Sequence, residues 1–454
     1  MNQKSDERLG TEKLGRLILS LALPGIAAQL INVLYNIVDR MYIGRIPKAG
    51  ADALTGLGVC IPVIMIISAF AAFVGMGGAP LAAIRLGKGE REKAEKILGS
   101  GIVMLLFFSV VLTVFFMVFK KKILFMFGAS DETIIYGIDY LNIYLWGTVF
   151  VQSVLGLNTF ISAQGRAKTA MLSVLIGAVL NIMLDPLFIF VFNMGVKGAA
   201  FATIISQSIS AVWIVSFLLS EKSVIRIKRE YIKPDFKSMR QIAALGISPF
   251  VMQSTEGIIN IVLNRGLQNY GGDIYVGSLT ILQSIMQLIV VPIQGLTQGI
   301  SPIMSYNYGA GNLKRVKETF KIMIITVFSI TVLASIIVFI FPETLASIFT
   351  NEYDLIKLSG QVMPVFFGGI WIFGIQMSCQ TAFMSMGQAK ISLFLALLRK
   401  IILLVPLALI LPLFWSNPVY GIYFSEPIAD TAAAIITGIV FIFYSKRLLF
   451  KQNN

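Results

Sequence analysis

The chain has 454 residues, of which 56% are apolar and 13% are charged, about half the charged share of a typical soluble protein. With a mean hydropathy of +0.82, it has too little polar surface to cover a water-soluble globular body. It contains no histidine, which excludes histidine metal ligands and catalytic pairs of serine or cysteine with histidine. These features predict a polytopic membrane protein.

Twelve apolar segments are long enough for a tilted helix to cross a bilayer. They cover approximately residues 17–39, 53–80, 97–119, 134–160, 168–192, 198–219, 241–264, 276–303, 318–341, 356–383, 391–414 and 420–444. The predicted fold class is therefore an all-α membrane protein with twelve transmembrane helices.

The formal net charge is +14, and the position of the basic residues explains it. When lysines and arginines are counted on alternate sides of the predicted spans, 26 lie on the side of the two termini and 9 on the opposite side. Basic residues are enriched in cytoplasmic loops, so both termini are predicted to be cytoplasmic in a multi-pass protein of the plasma membrane. The positive charge is a topology signal, and no nucleic-acid partner is expected.

The two halves of the sequence repeat each other at a fixed offset. Gly77, Pro80 and Gly87 recur 222 residues later, and the same offset aligns Thr159 and Gly165 with Thr381 and Gly387. Because each half has an even number of spans, the repeats run in the same direction, as in transporters built from parallel repeats. We predict a first lobe over residues 1–220, a cytoplasmic linker over 221–240 and a second lobe over 241–454.

Several motifs together resemble one transporter family. They read LPGIAAQLINVLYNIVDRMYIG, LNIMLDPLFI, GVKGAAFAT, PIQGLTQGISPIMSYNYGAGNLKRVK and FMSMGQAK. This set is similar to the multidrug and toxic compound extrusion (MATE) family, and most of all to its DinF-like bacterial branch. The resemblance implies two pseudo-symmetric six-helix lobes and alternating access. It also implies export of amphipathic, often cationic compounds, driven by inward flow of Na⁺ or H⁺.

Ionisable groups within membrane spans are functional candidates because their burial in a bilayer is costly. At about 1.5 Å per helical residue, Asp39, Asn181, Asp185 and Thr203 lie at a similar depth in the outer part of three helices. Their oxygen atoms suit Na⁺, and a proton is the competing occupant of the carboxylates. Pro186 adds to this set because it frees a backbone carbonyl one turn earlier.

The resemblance implies the same role for these four residues, since the matching positions form the cation or proton site of that branch. Other interpretations stay open at this point. Asp39 could cap a helix end beside Arg40, and Asn181 and Thr203 could be ordinary polar groups in helix packing.

The second half lacks a copy of this site but has charged residues of its own. Glu256 and Arg399 lie within predicted spans, and Arg399 is followed by Lys400. Glu256 is either a carboxylate of the substrate cavity that attracts cationic drugs or a partner of Arg399 or Lys400 in an internal salt bridge. We also assign Gln283, Gln287 and Arg399 to the predicted substrate cavity.

The function predicted from the sequence is a secondary multidrug antiporter, with a flippase for lipid-linked sugars as the alternative. A flippase would need a strongly cationic cavity, and only Arg399 and Lys400 lie deep in the second half. An intramembrane enzyme is disfavoured by the lack of histidine. We expect small drugs and toxic organic cations as substrates, contact with membrane lipids, a monomeric state, and no cofactor besides the coupling ion.

Overall fold

The computed structural model describes residues 8–47 and 49–450, with side chains up to residue 446. The first seven and last four residues, predicted to be cytoplasmic, and Lys48, counted on the opposite side, fall outside the described residues. The structure described is helical, and no strand occurs in these two ranges. The α-helices are α1 (Arg8–Thr11), α2 (Leu14–Gly44), α3 (Gly50–Gly58), α4 (Ile61–Gly87), α5 (Arg91–Met126), α6 (Ile134–Tyr144), α7 (Thr148–Ala163), α8 (Ala167–Pro186), α9 (Val196–Leu219), α10 (Phe236–Gly271), α11 (Asp273–Gly309), α12 (Leu313–Ile340), α13 (Pro342–Ser347), α14 (Tyr353–Phe366), α15 (Ile370–Ser385), α16 (Ala389–Leu397), α17 (Val405–Ile410) and α18 (Pro418–Phe450).

The predicted number of spans is confirmed. Within the described residues, eleven helical segments are long and apolar enough to cross a membrane. Helices α14 and α15 together make a twelfth span that is bent by 53°. Pro364 lies in the last turn of α14, and Gly369 is the last residue of the break, where an added Cβ would lie 2.8 Å from the Pro427 carbonyl oxygen. Proline and a closely approached glycine therefore account for the bend.

Several helices are longer than their apolar segments. Helix α5 runs from Arg91 to Met126, beyond the predicted 97–119, because its polar first turns continue the helix outside the apolar stretch. The predicted span 53–80 is divided into α3 and α4 by a break at residues 59–60, and Pro62 is the second residue of α4. Proline is favoured in the first turn of a helix, where its missing N–H costs nothing.

Two turns of π-helix interrupt the α-helical pattern. One, Leu187–Val191, follows Pro186 at the end of α8. The other, Leu398–Leu404, joins α16 to α17 and contains both Arg399 and Lys400. π-Helical turns are rare and frequently occur at functional sites. The first turn follows Asp185 closely and the second contains Arg399 and Lys400, so both occur at ionisable residues singled out in the sequence.

The contacts divide the chain into two compact units. Unit 1 contains the described residues up to Phe250 together with Gln298–Leu313, and unit 2 contains Val251–Thr297 and the described residues from Lys314 onward. Each unit has its own buried apolar core. The linker predicted at 221–240 lies within unit 1. The predicted lobe boundaries stay a prediction.

Part of the linker is fixed to unit 1 by buried polar groups. The Gln164 side-chain oxygen accepts hydrogen bonds from the Ser223 hydroxyl and from the next two backbone N–H groups, at 2.7–3.1 Å. Glu95, which is 2% exposed, pairs with Lys228 at 2.7 Å. Because unpaired buried groups of this kind would be costly, these contacts hold the linker against α5 and α7.

The sequence repeat is visible as a pair of reciprocal helix contacts in unit 1. A Cβ on Gly87 would lie 1.9 Å from the carbonyl oxygen of Tyr306, and one on Gly309 would lie 2.0 Å from that of Ile84. Gly87 and Gly309 are 222 residues apart, as are Ile84 and Tyr306. The end of α4 and the end of α11 therefore touch through backbone atoms, and each contact requires glycine.

Candidate functional site

The four polar residues predicted in the first half come together in unit 1. Asp185 and Asn181 are 0% and 2% exposed on α8, and Asp39 is 9% exposed on α2. Thr203, on α9, is half-buried beside them. Asn181 and Asp185 are four residues apart and therefore share one face of α8. Three helices thus place these side chains at one point.

Direct contacts join the members of this cluster. The Asn181 amide donates to an Asp185 carboxylate oxygen at 3.2 Å and to the Thr203 hydroxyl at 3.4 Å. The Thr203 hydroxyl donates to the Ala199 carbonyl at 3.0 Å. The carboxyl groups of Asp39 and Asp185 are also in contact with each other. Two negative carboxylates in contact repel, and a proton or a cation held between them removes that repulsion.

Oxygen atoms in the cluster are left without hydrogen-bond partners among the described residues. They belong to three different side chains, namely Asp39 (Oδ1), Asn181 (Oδ1) and Asp185 (Oδ2). Such buried acceptors are costly unless something binds them. Carboxylate and amide oxygens are ligands for hard monovalent cations, and a carboxylate is also a proton acceptor. The residues present therefore fit Na⁺ or H⁺.

Two tyrosines that the sequence analysis did not single out adjoin this cluster. Tyr140, a buried residue of α6, is close enough to Thr203 and Asp39 for electrostatic interaction. Tyr35 is close enough to Asp39 and Asp185 for electrostatic interaction. Tyr35 precedes Asp39 by four residues on α2, and this i, i+4 spacing is the signal that could have identified it. Tyr140 had no such local signal.

Unit 2 contains a second cluster, made of five charged residues. Arg399 bonds to Glu426 at 3.0 Å and to Asp430 at 2.5 Å. Its guanidinium also lies 4.6 Å from the centre of the Phe373 ring, a cation–π distance. Lys400 pairs with Glu256. Of the two partners considered for Glu256, the structure places Lys400 beside it, and Arg399 is held by other acids.

The four residues predicted to form the substrate cavity differ in their surroundings. Glu256 and Arg399 belong to the charged cluster of unit 2 but to different ion pairs. The Gln283 amide donates to Asn260 at 2.9 Å. Gln287 is exposed one helical turn further along α11. Their assignment to a substrate cavity stays a prediction.

Glu426 and Asp430, the two acids that bond to Arg399, are 8% and 2% exposed. Their four-residue spacing on α18 lets both carboxylates reach one guanidinium. The described residues contain no group of three or more histidine, cysteine or acidic side chains arranged to hold a metal ion.

A family model matches both halves of the chain. This model, MatE, matches residues 24–187 and 249–410. The chain is also 25% identical over 430 residues to a protein of Staphylococcus haemolyticus named Multidrug export protein MepA, and the match covers 95% of this chain and 93% of that protein. A protein of the same name from Staphylococcus aureus strain MSSA476 is 25% identical over 420 residues, with 92% of each chain covered.

Solved structures show the same arrangement of helices. A structure described as MATE in the bent conformation superposes with a TM-score of 0.92 and 24% identity, covering 100% of both chains. Another, described as the outward-facing conformation of a multidrug resistance MATE family transporter of the MOP superfamily, gives a TM-score of 0.89 with 23% identity. That match covers 97% of this chain and 98% of the other. The predicted all-α fold with twelve transmembrane helices is confirmed by these similarities.

Proposed function

Because the chain belongs to the MatE family, we propose that it is a secondary multidrug efflux antiporter of the plasma membrane. In this proposal it exports amphipathic, often cationic compounds by alternating access, in exchange for inward movement of Na⁺ or H⁺. The names of the curated relatives from Staphylococcus support multidrug export. The antiport itself is supported by the polar cluster of unit 1.

The observation that carries the ion coupling is the contact between Asp39 and Asp185 among unpartnered oxygens. The bound ion would supply the positive charge that lets the two carboxylates stay in contact. Asn181 orients the Asp185 carboxylate through its amide hydrogen and keeps its own oxygen for the ion. The Thr203 hydroxyl donates its hydrogen to the Ala199 carbonyl and accepts from the Asn181 amide, which leaves one lone pair of its oxygen for the ion.

An ion can drive export only if it binds the two conformations of the transporter with different affinity. The cluster meets this requirement through the helices that carry it, because α2, α8 and α9 each contribute oxygens. A small shift of one helix changes the number of oxygens within reach of the ion. Drug and ion then favour opposite conformations, which is the basis of exchange.

The alternative of a lipid-linked sugar flippase is not favoured by the charges of unit 2. A pyrophosphate needs cations that are free to bind it. Arg399 is bound by Glu426 and Asp430, and Lys400 is bound by Glu256. The cluster has three acids and two bases, which is a formal excess of one acid. Such a site favours cationic substrates.

Ethidium uptake into everted membrane vesicles tests the proposed antiport. With Na⁺ or H⁺ concentrated in the vesicle lumen, in separate experiments, we expect one of the two gradients to drive ethidium accumulation. An ionophore for that ion should abolish the accumulation. Vesicles without the protein are the control. Accumulation that responds to neither gradient, or that requires ATP, would contradict the proposal.

The proposed orientation places the linker on the cytoplasmic side. Lys233 in the linker is exposed, and the two native cysteines are buried, so Lys233→Cys offers a selective labelling site. A membrane-impermeant maleimide should label this variant in everted vesicles and leave it unlabelled in intact cells. Labelling in intact cells would show that the linker faces the outside, which contradicts the proposed orientation. The ion gradients of the antiport experiment would then have to be reversed as well.

A further inference from the structure

The pair formed by Glu256 and Lys400 is unequal in exposure. The Lys400 side chain is 6% exposed, whereas that of Glu256 is 47% exposed. The ammonium therefore reaches the carboxylate from the protein interior, and the other side of the carboxylate remains open. A carboxylate accepts several hydrogen bonds, and Lys400 bonds to one oxygen, Oε1. Glu256 thus has room for a second cation.

Arg399 does not compete for this carboxylate. Its guanidinium is fixed by two acids of α18 and by the face of Phe373, and its side chain is 11% exposed. The π-helical turn that begins at Leu398 presents the two consecutive basic residues to different acids. Among the described residues, Lys400 is the basic residue that pairs with Glu256.

Lys400 has a second carboxylate within electrostatic range. Glu426 interacts with Lys400 as well as with Arg399, Asp430 and Glu256. One oxygen of Glu426, Oε2, is buried and has no hydrogen-bond partner among the described residues. If the ammonium leaves Glu256, it stays within electrostatic range of Glu426. The exchange then does not leave the Lys400 ammonium far from every negative charge, which would be strongly destabilising.

We propose that Lys400 is a tethered competitor of cationic substrates, which occupies Glu256 between transport cycles and is displaced when an organic cation binds. The inference rests on the proposed export of such compounds and names a residue that sets their affinity. A compound must carry a positive charge to replace the ammonium at Glu256. Neutral compounds leave the Glu256–Lys400 pair in place, so removal of the Lys400 ammonium does not change their affinity.

Binding of ethidium to the purified protein, followed by fluorescence anisotropy, tests this competition. Lys400→Met removes the ammonium and keeps an unbranched side chain, so we expect ethidium to bind about tenfold more tightly, the effect of removing one bond to a charged group. Affinity for a neutral substrate should not change. The matched control is Lys357→Met, which removes an exposed charge of unit 2 that lies on α14. It should leave both affinities unchanged.

The gain in ethidium affinity that Lys400→Met produces should depend on Glu256. Combining Lys400→Met with Glu256→Gln should give the same ethidium affinity as Glu256→Gln alone. If Lys400→Met fails to fold, Lys400→Arg serves instead, because a bidentate guanidinium holds a carboxylate more firmly and should weaken ethidium binding. Equal or weaker ethidium binding by a folded Lys400→Met protein, or equal or tighter binding by Lys400→Arg, would overturn the inference. Absence of ethidium binding and transport by the wild-type protein would instead contradict the proposed function.

Discussion

Replacement of either Asp39 or Asp185 with asparagine is expected to abolish uphill export of ethidium. In everted vesicles the accumulation should fall to the level of vesicles that lack the protein. An amide cannot take up a proton at physiological pH, and it lacks the negative charge that holds Na⁺. The carboxyl groups of these residues are in contact, so loss of either charge disables the shared site.

The same experiment includes its own graded controls. Asn181→Ala and Thr203→Ala remove neutral oxygens, so they should raise the ion concentration needed for half-maximal transport without abolishing coupling. Ethidium binding to the purified Asp39→Asn and Asp185→Asn proteins should persist, because the drug is not expected to bind at this cluster. If both acid-to-amide variants, present at normal membrane levels, still accumulate ethidium against its gradient, the ion site lies elsewhere.

The second large effect is expected on the stability of the folded protein when Arg399 is replaced. Arg399→Met leaves Glu426 and Asp430 buried without their common cation, and we expect a loss of about 3–5 kcal/mol in the free energy of unfolding. The arginine bonds to both acids at 2.5–3.0 Å. The loss should appear as a lower melting temperature of the detergent-solubilised protein and as poor accumulation in the membrane.

Replacing all three residues of this ion-pair group by neutral ones separates the effect of charge on stability from the effect of packing. Arg399→Met combined with Glu426→Gln and Asp430→Asn removes every unpaired charge and should recover most of the lost stability. Arg265→Met is the matched control, since Arg265 is an exposed arginine of α10, and its effect should stay within about 0.5 kcal/mol. A single Arg399→Met protein as stable as the wild type, or a triple variant no more stable than the single one, would show that these ion pairs do not hold unit 2 together.

Much of the fold could be predicted because the lipid environment imposes simple rules. The twelve apolar segments follow from the length of helix that crosses a bilayer, and the repeat follows from a constant offset. Helix breaks were harder to predict. Hydropathy does not change at Cys60 or at Gly368, so the division of one span and the bend of another were not visible in the apolar pattern.

The two polar clusters show why local spacing predicts some contacts and misses others. Asn181 and Asp185 could be paired in advance because four residues on a helix make one face. The pairing of Arg399 with Glu426 and Asp430 joins residues 27 and 31 positions apart on separate helices. A long-range contact of this kind has no local signature. The choice of Lys400 over Arg399 as the partner of Glu256 depends on the π-helical turn, which the sequence did not reveal.

The reciprocal contacts of Gly87 and Gly309 bear on the leakage of water and ions between helices. A carrier that is driven by an ion gradient wastes that gradient if a file of water connects the two compartments at any stage. Side chains that close a passage can swing aside and admit water, whereas main-chain atoms of two helices have no rotamers to exchange. At these glycines the backbones approach so closely that a single added carbon would overlap a carbonyl oxygen. At this junction the two backbones leave no space between them for a hydrated ion.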